Sequence, residues 1–171
     1  KYRSFTPIPI ALMTVYFASA SGSYRYVGLS MLTIGEAIRI WAVSHAGGAT
    51  RTRKVGAPSL CTSGPYSQSR NPLYVGNMFM YIGIVLIAGV PNSFFLVVVT
   101  AVFFLIQYTL IISLEEETLD NIFGDEYFEY KKNVPAIIPR LKPWSGAKKT
   151  KPTPVLTTLK TEKRTLQNVC L

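Results

Sequence analysis

Apolar residues in this chain come in long runs separated by short polar breaks. A helix crossing a bilayer core needs about 20 predominantly apolar residues, and four stretches approach that length. The first, Ile8 to Ala20, is short and is entered through Pro7 and Pro9. The second runs from Tyr26 to Ala46. The third runs from Leu73 to Val90, behind Pro72, which suits a first helical turn. The fourth runs from Ser93 to Leu114, and Phe94 to Leu114 carries no charge. Pro91-Asn92 predicts a tight turn between the third and fourth. A soluble bundle would show amphipathic stripes, and the fourth run shows none. Glu115 to Val134 is different: it is polar, with Leu119, Ile122, Phe123, Tyr127 and Tyr130 at helical spacing. It predicts a continuation of the fourth helix, a break near Gly124, and a short helix lying on the membrane surface. The expected fold is all-α, a polytopic membrane protein of about four transmembrane helices plus a short cytoplasmic C-terminal helix.

Composition supports this reading and adds an orientation. The 171 residues are 49% hydrophobic and 16% charged, and 18 Lys+Arg against 9 Asp+Glu give a net charge of +9. A nucleic-acid binder would share the basic balance but not the long apolar runs, so no nucleic-acid partner is expected. A membrane protein with basic cytoplasmic flanks has both. Lys1 and Arg3 precede the first run; Arg51, Arg53, Lys54 and Arg70 separate the second from the third; Lys131, Lys132, Arg140 and Lys142 follow the fourth. The other two connections hold only Arg25. An even number of spans with this bias places both termini and the Arg51–Arg70 loop in the cytoplasm. Residues 1–144 are expected to form the membrane-embedded domain. Residues 145–171, rich in Lys, Thr and Pro, are expected to form a flexible basic tail drawn to anionic lipid. Cys170 is next to last and does not fit a prenylation box. With Cys61 as the only other cysteine, no disulfide framework is expected. The chain opens on Lys1 rather than Met, so a fragment or processed form is expected, and no secretory signal is evident.

Two clusters carry the candidate chemistry. Ser63 to Asn77 joins two stiff turns, Gly64-Pro65 and Asn71-Pro72, to Tyr66, Arg70 and Tyr74, just before a membrane helix. Such a loop suits the holding of a polar ligand beside a lipid phase; an ordinary basic, aromatic interfacial belt is the plainer reading. Glu115-Glu116-Glu117 closes the fourth run, where anions at a helix C-terminus are disfavoured. A cationic ligand or Arg70 would offset that cost, and a solvated helix end is the alternative. Glu36 and Arg39, at i and i+3 in the second run, are expected to pair and pin that helix. His45, the single histidine, reads as an interfacial residue without a role. One His and two separated Cys make no metal ligand set, and no phosphate-cradling or dinucleotide glycine motif is present.

Together the clusters resemble the isoprenylcysteine carboxyl methyltransferase family and its relatives, the phospholipid N-methyltransferases. The resemblance covers Gly35 to Leu141. It rests on Gly64-Pro65-Tyr66, Arg70-Asn71-Pro72-Leu73-Tyr74-Val75-Gly76, Glu115 to Leu119, Phe123 to Tyr130 and Val134-Pro135 through Pro139. It implies a helical membrane enzyme that takes a methyl group from S-adenosyl-L-methionine and delivers it to a lipid-like or prenylated substrate. It implies a cytoplasmic cofactor pocket contacted by Leu60, Cys61, Tyr66, Asn71, Pro72, Leu73, Tyr74 and Glu115, with Arg70 and Glu116 as the candidate catalytic pair. Asn71 stands where many relatives have His, and can still donate and accept hydrogen bonds. Ile111 stands where the prenylcysteine enzymes resemble one another in having an arginine for the substrate carboxylate, which argues against a simple prenylcysteine acceptor. A phospholipid N-methyltransferase, an NADPH-dependent sterol-reductase-like protein and a non-catalytic membrane scaffold stay open beside the leading reading.

Overall fold

The structure, a computed structural model, describes residues 8–19, 23–46, 59–148, 150–154 and 157–158. Among them the α-helices are α1 (Ile8–Tyr16), α2 (Arg25–Ala46), α3 (Pro72–Ile87), α4 (Ser93–Phe123) and α5 (Asp125–Asn133), with a 3-10 turn at Gly64–Ser67 between α2 and α3. The described residues contain no strand, as the apolar periodicity predicted. The loop charges Arg51, Arg53 and Lys54 that entered the orientation argument lie outside the described residues, as do Lys1 and Arg3.

Length separates the four expected spans. The 22 residues of α2 and the 31 of α4 rise about 33 and 46 Å at 1.5 Å per residue, enough to cross a bilayer core. The 16 apolar residues of α3 rise about 24 Å, and the nine of α1 only about 13 Å. Among the described residues, two helices therefore meet the length and apolarity of a full span. The third run stops early because the chain turns at Gly89, whose φ of +62° is a left-handed value that glycine adopts without strain. The expected two-residue turn widens accordingly, with Asn92 also at positive φ and Ser93 Oγ donating to Val90 O at 2.5 Å.

Contacts divide the chain into two compact units. Unit 1 takes Lys1–Glu36 and Asn77–Tyr108; unit 2 takes Ala37–Gly76 and Thr109–Leu171. In unit 1 the core is apolar: Val85, Val90 and Leu96 pack with Ala88 and Val97, and Phe104 stacks on Tyr81 with ring centroids 4.2 Å apart. Gly28 of α2 and Gly83 of α3 let two backbones meet. A Cβ on Gly83 would lie 2.7 Å from Gly28 O, and one on Gly28 would lie 2.6 Å from Gly83 O. Small residues at such a crossing are what bring membrane helices close. The outward residues are apolar too: Leu12, Val15, Val27, Phe94, Phe95 and Ile106 are all exposed. An apolar surface this extensive is matched by hydrocarbon rather than water, so the molecule is a membrane protein.

Unit 2 is polar and cross-linked. Its core of Leu60, Tyr127, Tyr130 and Val134 packs against Leu119, Phe123 and Trp144. Helix α4 ends at Phe123, and Gly124, at φ +51°, redirects the chain into α5. Asp125 and Glu126 in the first turn of α5, and Lys131 and Lys132 in its last, complement the helix dipole. After α5 the chain runs back along the loop before α3. Arg70 N donates to Pro135 O at 2.9 Å, Arg140 N to Gln68 O at 3.0 Å and Trp144 N to Ser67 O at 3.0 Å. Beyond the boundary placed at residue 144, Lys148 N still donates to Thr62 Oγ1 at 2.9 Å.

Candidate functional site

Unit 2 encloses a cavity of about 280 Å³ walled by the end of α2, the loop before α3, the end of α4, α5 and the chain beyond it. The loop is shaped by its own sequence. Gly64 takes φ +58°, and a Cβ there would lie 2.5 Å from His45 Nε2 and 2.6 Å from Cδ2 and Cε1, so the imidazole packs directly on that glycine. Pro65 then opens the 3-10 turn. Ser69 Oγ lies 3.1 Å from both Ala136 O and Ile137 O, and Asn71 Nδ2 donates to Ala136 O at 3.1 Å. Tyr130 Oη donates to Tyr66 O at 2.6 Å. The loop and the segment after α5 therefore form one hydrogen-bonded wall.

Arg70 is the hub of that wall. Its Nε and Nη2 donate to Glu116 Oε1 at 2.9 and 2.5 Å, and its Nη1 donates to Lys131 O at 3.1 Å and to Val134 O. Lys131 Nζ lies 3.3 Å from Glu116 Oε2, and the side chains of Arg70 and Glu116 are only 9% and 12% exposed. One guanidinium thus ties α4, the C-terminal turn of α5 and the loop together. One turn of chain away, Tyr74 Oη lies 3.0 Å from both carboxylate oxygens of Glu115.

The tyrosines and the cysteine of the wall are held neutral. Burial raises the pKa of Tyr66 and Tyr130, with like-sign repulsion from neighbouring ionisable groups adding to it. Tyr127 is raised by burial and by the Glu116 charge, against an opposing effect of Arg70. Burial also pushes the Cys61 thiol up, more than the Ser63 hydroxyl draws it down. Fixed charge at the cavity therefore comes from Arg70, Glu115, Glu116 and Lys148, set among aromatic rings.

Of the residues singled out in the sequence, Leu60, Cys61, Tyr66, Arg70, Asn71, Glu115 and Glu116 all reach the cavity wall. Pro72, Leu73 and Tyr74 stand behind it in the first turn of α3, with Tyr74 joined to it through Glu115. Glu117 is exposed, while Glu36 and Arg39 are half-buried along α2 and are not among the cavity-lining residues. Sequence reasoning missed His45, Ala46, Ser59, Leu119, Phe123, Tyr127, Tyr130, Lys148 and Thr150, which complete the lining. In the sequence Leu119, Phe123, Tyr127 and Tyr130 show only as apolar positions at helical spacing. His45 carried a usable signal, since a lone histidine at the end of a span faces the same side as the loop that follows. Among the described residues no group of three or more His, Cys, Asp or Glu gathers into a metal site.

A membrane protein whose described residues are helical, with a charged and aromatic cavity, is the class that this fold and site define. Residues 24–126 match the family described as phospholipid methyltransferase, and the chain belongs to that family. It is 34% identical over 115 residues to the nickel-cobalt-cadmium resistance protein NccN of Alcaligenes xylosoxydans xylosoxydans, covering 67% of this chain and 48% of that protein. It is 35% identical over 128 residues to the protein-S-isoprenylcysteine O-methyltransferase of Xenopus laevis, covering 68% of this chain and 41% of that protein. A solved structure of the eukaryotic intramembrane Ras methyltransferase ICMT superposes with a TM-score of 0.62 at 24% identity, covering 83% of this chain and 52% of that one; that likeness speaks to the fold. The chain spans about half the length of the curated relatives it matches, 48% and 50% for the first two.

Proposed function

We propose that this chain is an integral membrane methyltransferase of the isoprenylcysteine carboxyl methyltransferase-like kind. It uses S-adenosyl-L-methionine and acts on a lipidic or hydrophobic acceptor. The observation that carries the reading is the cavity in unit 2, where residues of the two sequence clusters meet around one space. Its chemistry fits the cofactor. Tyr66, Phe123, Tyr127 and Tyr130 offer apolar rings to a purine. Asn71 and Glu115 offer hydrogen-bonding and anionic contacts to polar and cationic groups. When bound, S-adenosyl-L-methionine supplies an activated methyl group on a sulfonium.

The protein's share of the work is placement. Holding two reactants in line removes about 7–11 kcal/mol from a barrier in favourable cases. The hydrogen-bonded wall centred on Arg70 provides the rigidity for that. With its donors on Glu116 and two backbone carbonyls, Arg70 acts in this reading as the positioning residue of the pair, and Glu116 as its anchor. Glu115, held by the Tyr74 hydroxyl, is the anion presented to the ligand. A carboxylate acceptor is already ionised at neutral pH and needs no base; an amine acceptor would pass its proton to water or to a neighbouring carboxylate. The remaining parts of the reading are four spans, a surface-lying α5, and a site and termini on the cytoplasmic side, with the basic connections as their support.

One observation favours the phospholipid N-methyltransferase reading for the acceptor. Ile111 sits one helical turn before Glu115, so an acceptor carboxylate there would meet an apolar side chain, whereas an amine would be drawn toward Glu115. Incubating the membrane protein with native lipid extract and methyl-labelled S-adenosyl-L-methionine tests both levels. The expected product is a labelled lipid. Side by side, an amine-headed phospholipid is expected to be methylated in preference to farnesylated cysteine. Efficient methyl-ester formation on farnesylated cysteine alone would reverse the acceptor assignment, and no labelled product from any lipid would count against the enzyme itself.

A further inference from the structure

The family match ends at residue 126, yet the chain returns to the cavity well beyond it. Trp144 N donates to Ser67 O at 3.0 Å, and Thr153 N donates to Ser44 O at 2.7 Å, beside His45 at the end of α2. Between them, Lys148 N donates to Thr62 Oγ1 at 2.9 Å, and the Ser63 and Thr150 hydroxyls are hydrogen-bonded to each other. These four ties hold the segment across the loop, and they put Lys148 and Thr150 into the cavity wall.

Charge decides what this segment adds. The cations of the wall are Arg70 and Lys148. Arg70 is committed to Glu116 and to two backbone carbonyls in a nearly buried position. Lys148 is different: its Nζ pairs with Glu126 Oε1 at 2.5 Å, but the two side chains are 54% and 45% exposed. A solvated pair of that kind contributes little and exchanges easily, and the flexible stem of lysine lets its ammonium re-aim. A ligand ending in an amino acid carries a cationic and an anionic group on one carbon and needs both signs from its site. Glu115 provides the negative one.

We propose that Lys148 binds the carboxylate of the ligand's amino-acid end, so that the chain after Trp144 is part of the binding site. The proposal rests on the cofactor reading above. Calorimetric titration of the full-length protein in detergent tests it, with S-adenosylhomocysteine, which keeps the amino-acid end, and with 5′-methylthioadenosine, which lacks it. Lys148→Gln is expected to weaken S-adenosylhomocysteine by about tenfold or more while leaving 5′-methylthioadenosine unchanged, and Lys148→Arg is expected to restore most of the loss. An equal loss for both ligands would make the segment a structural strap and overturn the proposal. So would unchanged binding of both. If the unmodified protein binds neither compound, the cofactor reading fails first, and this site fails with it.

Discussion

Units 1 and 2 are threaded by the same helices, since α2, α3 and α4 each contribute to both, but different forces hold them. Unit 1 relies on shape. Its hydroxyls at Thr14, Ser30 and Thr33 donate to carbonyls four residues back on their own helices, while close contact comes from Gly28 meeting Gly83 and from stacked rings at Tyr81, Phe104 and Tyr108. Unit 2 relies on polar bonds between residues far apart in sequence: Arg70 to Glu116, Tyr74 to Glu115, Tyr130 to Tyr66, Ser69 to Ala136. An apolar surface cannot fix a ligand's polar groups, and a polar network cannot face hydrocarbon. Placing each in its own unit lets a rigid polar site form in a chain that is otherwise mostly lipid-soluble.

The comparison breaks most sharply at Arg70. Arg70→Ala would leave the Glu116 charge nearly buried with its main partner gone, at a cost of about 3–5 kcal/mol. Thermal unfolding in detergent should register it as a large loss of stability, with ligand binding abolished. A small shift would mean that Lys131, 3.3 Å from Glu116 Oε2, is the stronger partner.

Glu115→Gln keeps the shape of its side chain and removes the charge. S-adenosylhomocysteine binding should weaken by about tenfold, from the loss of a charged hydrogen bond worth about 1.5–3 kcal/mol. The exposed Glu117→Gln should change it little. Equal and small effects at the two positions would instead describe a solvated helix end.

Gly83→Val probes the other side of the comparison. The added side chain must displace Gly28 O, and overpacking of this kind costs about 1–3 kcal/mol. Thermal stability should fall, while the affinity of the remaining folded protein for S-adenosylhomocysteine should hold. A parallel loss of affinity would show that the two units do not divide the work as argued. The smallest effect is expected at Cys61. Burial raises its pKa, and the thiolate is the reactive form, so alkylation near pH 8 should be slower than for a free thiol in a Cys170→Ser background. Rapid labelling would place Cys61 in a wetter, less enclosed wall.

The parts legible in the sequence were those set by local pattern. The uncharged run from Phe94, the break at Gly124 and the stiff Gly64-Pro65 turn depend on neighbours in the chain, and the structure has them where the sequence put them. The cavity was legible only where a motif or the strip before it marked it, at Leu60, Cys61, Tyr66, Arg70, Asn71, Glu115 and Glu116. Tyr127 and Tyr130 read as one stripe of α5, because nothing local says that the loop before α3 will lie against them. Lys148 reads as one lysine among several in a basic tail, since its place in the cavity wall depends on the hydrogen bonds of Lys148 N to Thr62 and of Thr150 to Ser63, more than eighty positions earlier. Gly28 and Gly83 gave no signal, as a glycine within a helix has the same appearance whether or not another backbone passes over it.

The most direct measurement of the central claim is an equilibrium titration of the purified protein with S-adenosylhomocysteine and, separately, with NADPH. Saturable binding of S-adenosylhomocysteine, weakened by Glu115→Gln and absent for NADPH, is the predicted result. Binding of NADPH alone would assign the cavity to a reductase, and binding of neither would leave it the remnant of a scaffold; either outcome would contradict the methyltransferase reading.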